Sequence, residues 1–237
     1  MRVNYCEYSS IGGRSKNEDM VQIVSYPEST IVLVADGLGG HRDGDVASRM
    51  TVHTICEEIR DGSASRMLME QAIRKANEKI MLRHADGRDM KTTIAVVWLN
   101  EDHACAANVG DTRIYQFRDG EIVFQSVDHS ASQLAVMLGE ISSENIRHHC
   151  DRNRLTRAIG AREDIKIDSE ILDVRNGDAF LLCSDGFWEH VWEKEMLEDL
   201  EKSSDARSWL HMMRKRVEER LKKNADNHTA AVLIITE

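Results

Sequence analysis

The chain has 237 residues, 41% of them hydrophobic and 30% charged, which is an ordinary composition for a globular protein with a sizeable core. Its net charge of −10 argues against nucleic acid or an anionic membrane as the main partner, because both require a basic face. The five cysteines form no Cys-x-x-Cys pair and no apolar stretch reaches membrane-spanning length, so we expect reduced thiols and a cytoplasmic protein. Because no linker-like stretch interrupts the chain, we expect a single domain over residues 1–237.

Three strands are predicted in the first part of the chain. Residues 2–8 alternate loosely between polar and apolar side chains, residues 20–25 form a second strand, and residues 31–35 are continuously apolar, as in a strand buried on both faces. Asp19 precedes the second strand and Asp36 follows the third. If these two strands pair as an antiparallel hairpin, both carboxylates lie at the same end of the sheet and repel each other unless they share a cation.

The rest of the chain changes its periodicity twice. Two helices with one apolar face each are predicted over about 46–60 and from Ser65 onwards. The pattern then becomes that of strands, and Asp119-Gly120 between two apolar runs indicates a hairpin. Further strands are predicted at 93–99, 103–109, 114–117, 122–124, 165–174, 179–183 and 230–235, and further helices at 130–138, 193–200 and 205–222. This order predicts an α+β fold in which sheets and helices pack in layers.

A long, less regular segment lies between the predicted strands at 122–124 and 165–174. Residues 140–160 are polar and contain several arginines. We interpret residues 128–160 as a flap beside a functional site, with a plain exposed loop as the alternative, because long loops in compact domains are commonly functional. The adjacent His148 and His149 do not predict a metal pair, since neighbouring side chains point in different directions on a strand or a helix.

Five aspartates stand next to apolar strands, namely Asp19, Asp36, Asp111, Asp185 and Asp226. A single aspartate in such a place is most often a turn former or a helix cap. The repeat of an apolar strand followed by Asp-Gly, at Asp36 and again at Asp185, is hard to explain by turns alone. Carboxylates without suitable cysteine or histidine partners favour Mg²⁺ or Mn²⁺ over Zn²⁺. Two such ions can activate a water and hold a phosphoryl group, whose oxygens Arg14 is best placed to bind.

Six short motifs occur in order along the chain: Arg14-x-x-Asn17-Glu18-Asp19, Asp36-Gly37-Leu38-Gly39-Gly40-His41, Asn108-Val109-Gly110-Asp111-Thr112-Arg113, Asp128-His129-Ser130, Ser184-Asp185-Gly186 and Asp226-Asn227-x-Thr229. Together they resemble the motifs of the metal-dependent (type 2C, PPM) serine/threonine protein phosphatases in their bacterial branch, over about residues 5–235. Each motif is weak alone, but six in order are a strong signal. The resemblance implies a four-layer α-β-β-α sandwich, two antiparallel sheets flanked by helix pairs, with a flap at about 128–160.

The resemblance also implies a metal centre with two Mn²⁺ or Mg²⁺ ions. Asp36 would bridge the two ions, the carbonyl of Gly37 would bind one of them, and Asp185 and Asp226 would hold the other. A third, weaker ion would be held by Asp128 together with Asp185. The alternative for Asp128 is a cap on the helix that follows it.

The resemblance implies further roles around this centre. Asp19 would belong to the metal site and orient the attacking water, and Arg14 would be a catalytic residue that binds the phosphate. Animal members carry a histidine directly after the Asp-Gly pair, where this chain has Leu38. The proton donor to the leaving group is therefore open between His41, which we place among the substrate-binding residues, and a water.

The function implied by the resemblance is hydrolysis of phosphoserine and phosphothreonine on proteins, by a monomer that reverses a bacterial serine/threonine kinase. A phosphatase dedicated to one small regulator is an alternative. A catalytically inactive relative that only binds a partner would lack metal-binding acids, but none is missing here. A metal nuclease would share the two-ion chemistry yet need a basic groove, against which the net charge argues.

Overall fold

The structure, a computed structural model, describes residues 2–38, 43–59, 63–84, 87 and 89–236. Ten strands occur in these residues. They are β1 (Arg2–Ser10), β2 (Asp19–Ser25), β3 (Thr30–Asp36), β4 (Ile94–Leu99), β5 (His103–Val109), β6 (Arg113–Arg118), β7 (Glu121–Gln125), β8 (Asp168–Asp173), β9 (Ala179–Cys183) and β10 (His228–Thr236).

Six α-helices and a short 3-10 helix complete the described part of the chain. The α-helices are α1 (Gly44–Ile59), α2 (Arg66–His84), α3 (Ala131–Met137), α4 (Asp185–Trp188), α5 (Glu193–Lys202) and α6 (Ala206–Arg220). The 3-10 helix spans Ser143–His148. It lies with α3 in the predicted flap, between β7 and β8.

The strands form two antiparallel five-stranded sheets. Their orders are β1-β10-β9-β6-β7 and β2-β3-β4-β5-β8. One apolar core lies between α1, α2 and the second sheet, another between α5, α6 and the first sheet, and a third between the two sheets. The α+β class and the four-layer α-β-β-α sandwich are therefore confirmed.

Strand β3 shows why the sequence is continuously apolar there. Ile31, Leu33 and Ala35 pack under α1 and α2, whereas Val32 and Val34 face the other sheet. All five are fully buried. A strand in the middle of a four-layer sandwich has no solvent face, and its sequence therefore loses the usual alternation.

Most predicted elements are present, with shifted ends. The predicted hairpin at Asp119-Gly120 joins β6 and β7, and both turn residues have positive φ angles of 51° and 77°. Strand β8 is shorter than predicted and begins at Asp168. Helix α4 and the 3-10 helix were not predicted, because one or two turns are too short to show a helical period.

Pairing in both sheets brings distant parts of the chain to one end of the sandwich. The register of β2 and β3 sets Asp19 opposite Asp36, which confirms the predicted hairpin. Strand β10 pairs with β1 along its whole length and lies beside β9 on its other side. Hydrogen bonds between the two sheets, from the Glu18 N–H to Asn227 and from the Ser184 hydroxyl to Asp19, bring the segments before β10 and after β9 next to the β2–β3 hairpin.

All five cysteines are free. None of the described helices combines the length and the apolar character that crossing a membrane requires.

Candidate active site

A cavity of about 610 Å³ opens at this end of the sandwich. It lies where β3 ends, where α4 begins after β9, and just before β10. Its described lining is Arg14, Ser15, Lys16, Glu18, Asp36, Gly37, Leu38, Asp89, Lys91, Asp111, Asn153, Leu155, Asp185, Asp226 and Asn227. The lining therefore includes four of the five collected aspartates, and it includes two flap residues.

Asp36 has a tightly held backbone. Its N–H donates to Thr93 Oγ1 at 2.9 Å, and its carbonyl accepts from the Thr93 N–H and the Thr92 hydroxyl, both at 2.8 Å. The pKa of its carboxyl is raised well above the usual range, first by burial and then by Asp19 and Asp185. A carboxylate fixed in this way is costly to ionise unless a cation lies beside it.

Gly37 follows Asp36 in a turn that leaves no room for a side chain. A Cβ at this position would lie 2.2 Å from the carbonyl oxygen of Gly44 and 2.7 Å from that of Glu18. The Gly37 N–H donates to the Glu18 carbonyl at 3.1 Å. Glycine is therefore required here for the backbone to approach so closely.

Asp19 lies opposite Asp36 and is almost fully buried. Its Oδ2 accepts a hydrogen bond from the Ser184 hydroxyl at 2.9 Å. Burial raises its pKa to about 7, hydrogen bonds from Thr229 and Ser184 partly offset this, and Asp185 adds repulsion.

Asp185 begins α4 and faces the same cluster. Burial, followed by the charges of Glu189 and Asp226, raises its pKa to about 7. The nearby Asp36 carboxyl acts in the opposite direction and lowers the pKa of Asp185. Several carboxyl groups are thus crowded at the start of α4.

The donor set fits divalent metal ions. Asp19 Oδ1 and Asp185 Oδ1 are buried and have no hydrogen-bond partner among the described residues. Buried carboxylate oxygens that repel one another and lack donors are the ligands that Mg²⁺ and Mn²⁺ prefer. Cations in the cavity would relieve the raised pKa values of the whole group.

Arg14 reaches the cavity from the segment between β1 and β2. Its Nη2 donates to Asp226 Oδ2 at 2.6 Å, and about half of its side chain is exposed. Asn227 holds this segment in place: its amide donates to the carbonyls of Ile11 and Lys16, and its oxygen accepts from the Glu18 N–H. The arginine is thus next to the acids and accessible from solvent.

Asp128 is not among the described lining residues of the cavity, and its role as a ligand of a third metal ion stays a prediction. Both of its oxygens accept from the guanidinium of Arg113, at 2.9 Å and 2.7 Å, and both side chains are buried. The alternative role as a helix cap does not hold, since Ser130 caps α3 with its own hydroxyl, which accepts from the Gln133 N–H.

Asp111 is the site residue to which the sequence analysis gave no metal role. It lines the cavity, and burial, followed by the charges of Asp185 and Asp128, raises its pKa well above the usual range. Trp188 Nε1 donates to its carbonyl at 3.0 Å and holds the turn after β5. Its place directly after an apolar strand and a glycine is the signal that could have identified it.

The remaining predictions concern His41 and the flap. His41 lies outside the described residues. Asn153 and Leu155, which belong to the predicted flap, line the cavity.

Comparison with known proteins agrees with this geometry. A profile of the family described as Protein phosphatase 2C matches residues 7–228. The serine/threonine phosphatase stp of Listeria monocytogenes serotype 4b (strain F2365) is 32% identical over 208 residues, which are 83% of this chain and 82% of that protein.

Solved structures of similar proteins share the fold. The crystal structure of the Mycobacterium tuberculosis serine/threonine phosphatase PstP/Ppp covers 99% of both chains with a TM-score of 0.87 and 26% identity. The catalytic domain of the serine/threonine protein phosphatase PstP in complex with two manganese ions gives a TM-score of 0.84 at 26% identity, over 99% of each chain. From its fold, its crowded buried carboxylates and these similarities, the chain belongs to the Protein phosphatase 2C family, the metal-dependent serine/threonine protein phosphatases.

Proposed function

We propose that this chain hydrolyses phosphoserine and phosphothreonine on proteins at a centre of two Mn²⁺ or Mg²⁺ ions, held by Asp36, the Gly37 carbonyl, Asp185 and Asp226. The observation that carries the proposal is the convergence of aspartates beside an accessible arginine, where Asp19 and Asp185 each have a buried oxygen without a partner in the described part of the chain. A nuclease of similar chemistry would need a basic groove. The described lining here contains more acids than bases.

The two ions would supply an activated water and would stabilise the negative charge that develops on the phosphoryl oxygens. Asp36 lies opposite Asp19, its pKa is raised by both Asp19 and Asp185, and it is our candidate for a bridging carboxylate. Asp19 has one oxygen held by Ser184 and one without a hydrogen-bond partner among the described residues, so we assign it the role of orienting the attacking water.

Asp111 replaces Asp128 in our proposal as the residue for a third, weaker ion. It shares the cavity with Asp185, whose charge raises its pKa. A site with few protein carboxylates binds such ions weakly, because Mg²⁺ and Mn²⁺ give up their waters reluctantly.

Arg14 would bind the phosphate of the substrate. Its guanidinium pairs with Asp226 in the structure. Once Asp226 holds a cation, the guanidinium can turn to the phosphate oxygens, which suit its bidentate geometry. His41 stays our candidate for substrate binding near the leaving group.

We further propose that residues 1–237 act as one monomeric catalytic domain in the cytoplasm, with residues 128–160 as its flap, and that the chain opposes a serine/threonine kinase. The Listeria relative is named a serine/threonine phosphatase, which supports a phosphoprotein as the substrate.

The test is phosphate release from phosphothreonine peptides with Mn²⁺, Mg²⁺ or excess EDTA. We expect turnover with either ion and none with EDTA, and calorimetry should show binding of Mn²⁺ to the metal-free protein. Full activity in EDTA would overturn the proposed metal centre.

A further inference from the structure

Three cationic side chains occur in the described lining of the cavity: Arg14, Lys16 and Lys91. Each has an acidic partner, but the partners differ in kind. Arg14 pairs with Asp226, a proposed metal ligand, and Lys16 contacts Asp45, which is buried. Arg14 is already assigned to the phosphate of the substrate, and the buried Asp45, which also pairs with Arg49, favours keeping Lys16 as a second cation.

The partner of Lys91 is different. Lys91 Nζ lies 2.7 Å from Asp89 Oδ1, and the side chain of Asp89 is 68% exposed. An ion pair this exposed contributes little to stability and is screened by salt. An anionic group on a bound substrate can therefore take the place of Asp89 at low cost.

The backbone places Lys91 at the rim beside the proposed metal centre. The Leu38 N–H donates to the Lys91 carbonyl at 2.9 Å, and the next residue, Thr92, forms a bridge with Gly37. Lys91 is thus fixed against the turn that carries Asp36. A phosphoryl group bound over this turn would bring its neighbouring residues within reach of the Lys91 side chain.

We propose that Lys91 sets a charge preference: the enzyme selects phosphoproteins with an anionic group, a carboxylate or a second phosphate, close to the phosphorylated residue. Asp89 competes for the same ammonium group and limits this preference. The inference rests on the proposed function and extends it to the class of substrate.

The test compares peptides that differ only beside one phosphothreonine. One peptide has neutral neighbours, a second carries glutamate at one of the flanking positions, and a third carries phosphoserine there. The readout is the ratio of kcat/KM for an anionic peptide to kcat/KM for the neutral one, measured in the same protein preparation. The glutamate and phosphoserine arms separate the two sources of negative charge.

Two variants should move this ratio in opposite directions. Lys91→Gln should lower it by about two- to fivefold, the range of an exposed ion pair, whereas Asp89→Asn should raise it. Lys91→Glu should reverse the preference and favour peptides with a lysine neighbour.

Lys75→Gln is the matched control, because Lys75 of α2 forms a comparable exposed pair with Glu58 outside the cavity and should leave the ratio unchanged.

Salt gives an independent readout. Raising the ionic strength to about 0.5 M should shrink the wild-type ratio toward that of Lys91→Gln, since exposed charges are then largely screened.

The inference is overturned if Lys91→Gln and Lys75→Gln change the ratio equally, or if Asp89→Asn shifts it in the same direction as Lys91→Gln. A wild-type enzyme that hydrolyses all the peptides with equal kcat/KM also overturns it but leaves the proposed function intact. Failure to hydrolyse any of them with Mn²⁺ overturns both.

Discussion

Asp36 combines a crowded, buried carboxyl with a main chain that is held by hydrogen bonds on both sides. Thr92 and Thr93 fix its main chain, and three further aspartates besides Asp19 add to its raised pKa. Its role therefore depends on charge rather than on shape.

We predict that Asp36→Asn removes catalysis and leaves the fold intact. The amide supplies one neutral acceptor where a bridging role needs two charged oxygens, so turnover should fall by at least about a thousandfold and Mn²⁺ binding should weaken. Phosphopeptide turnover and calorimetric Mn²⁺ titration measure both effects. Near-normal turnover with bound metal would show that Asp36 only forms a turn.

Asp111 and Asp128 provide a second prediction for single residues. Both follow an apolar strand in the sequence, but Asp111 lines the cavity whereas Asp128 pairs with Arg113. Asp111→Asn should raise the Mn²⁺ concentration needed for full turnover with little loss of stability. Asp128→Asn should instead destabilise the protein by about 3 kcal/mol, since it leaves the buried charge of Arg113 without its carboxylate.

Urea denaturation together with Mn²⁺ titration of turnover separates these two outcomes. If Asp128→Asn has normal stability but needs a higher Mn²⁺ concentration for full turnover, Asp128 is a metal ligand after all.

The same pair shows the limit of prediction from sequence at the scale of residues. Asp111 and Asp128 both stand close to the end of an apolar strand, and the sequence offers no reason to prefer one as a ligand. Arg113 makes the difference between the two aspartates. It lies 15 residues before Asp128, and its guanidinium binds Asp128 and stacks over the Trp188 ring at 3.5 Å. Such a choice depends on tertiary packing, which no local pattern records.

At the scale of elements, the segment between β1 and β2 carries Arg14 and is shaped by contacts with residues 223–227. A Cβ on Gly12 would lie 2.2 Å from the Asp226 carbonyl oxygen, and one on Gly13 would lie 2.4 Å from that of Lys223. Together with the three hydrogen bonds of Asn227, these contacts fix the phosphate-binding arginine relative to Asp226.

We predict that Arg14→Ala raises the KM for phosphopeptides by about tenfold or more and leaves stability unchanged, because a charge-assisted contact to phosphate is lost while the side chain is half exposed. Asn227→Ala should raise the KM as well and also lower the free energy of unfolding by about 1–3 kcal/mol. Steady-state kinetics and urea denaturation are the measurements.

Arg207→Ala, on the exposed part of α6, is the control and should change neither quantity. An unchanged KM in Arg14→Ala would mean that another residue binds the phosphate.

Strands and helices can be predicted from the sequence where their burial produces a regular pattern of apolar residues. Strands such as β3 are buried on both faces and read as continuous apolar runs, and the long helices α1, α2 and α6 each show one apolar face. Helix α4 has only four residues and carries Asp185 at its first position. It was missed because its shape follows from contacts at both ends, including the close approach of Gly186 to the Asn227 carbonyl, and not from periodicity.

For the whole molecule, the site imposes a pH dependence on the metal-free protein. Asp19 and Asp185 have a folded pKa of about 7, against about 3.9 for an unfolded aspartate. Between these values the folded state binds more protons than the unfolded state, so stability falls as pH rises. Glu195, with its pKa lowered to about 2, has the opposite effect, which is complete above about pH 5.

We therefore predict that in EDTA the melting temperature falls between about pH 5 and pH 8, and that saturating Mn²⁺ removes most of this fall. Asp185→Asn should flatten the metal-free curve, because one of the repelling carboxylates is gone. Thermal melting across this pH range is the measurement. A melting temperature in EDTA that stays level or rises would contradict the assignment.

The pairing of β1 with β10 has a consequence for how the protein is made. Residues 2–10 find their only described sheet partner in residues 228–236, and the site combines Arg14 with Asp226. A chain leaving the ribosome must therefore hold residues 2–10 unpaired until residues 228–236 have been synthesised, and pairings this distant in sequence form slowly. A nascent or prematurely terminated chain that ends before β10 lacks the strand that lies between β1 and β9, and one that ends before residue 226 also lacks a proposed metal ligand, so we expect no phosphatase activity until β10 has been synthesised.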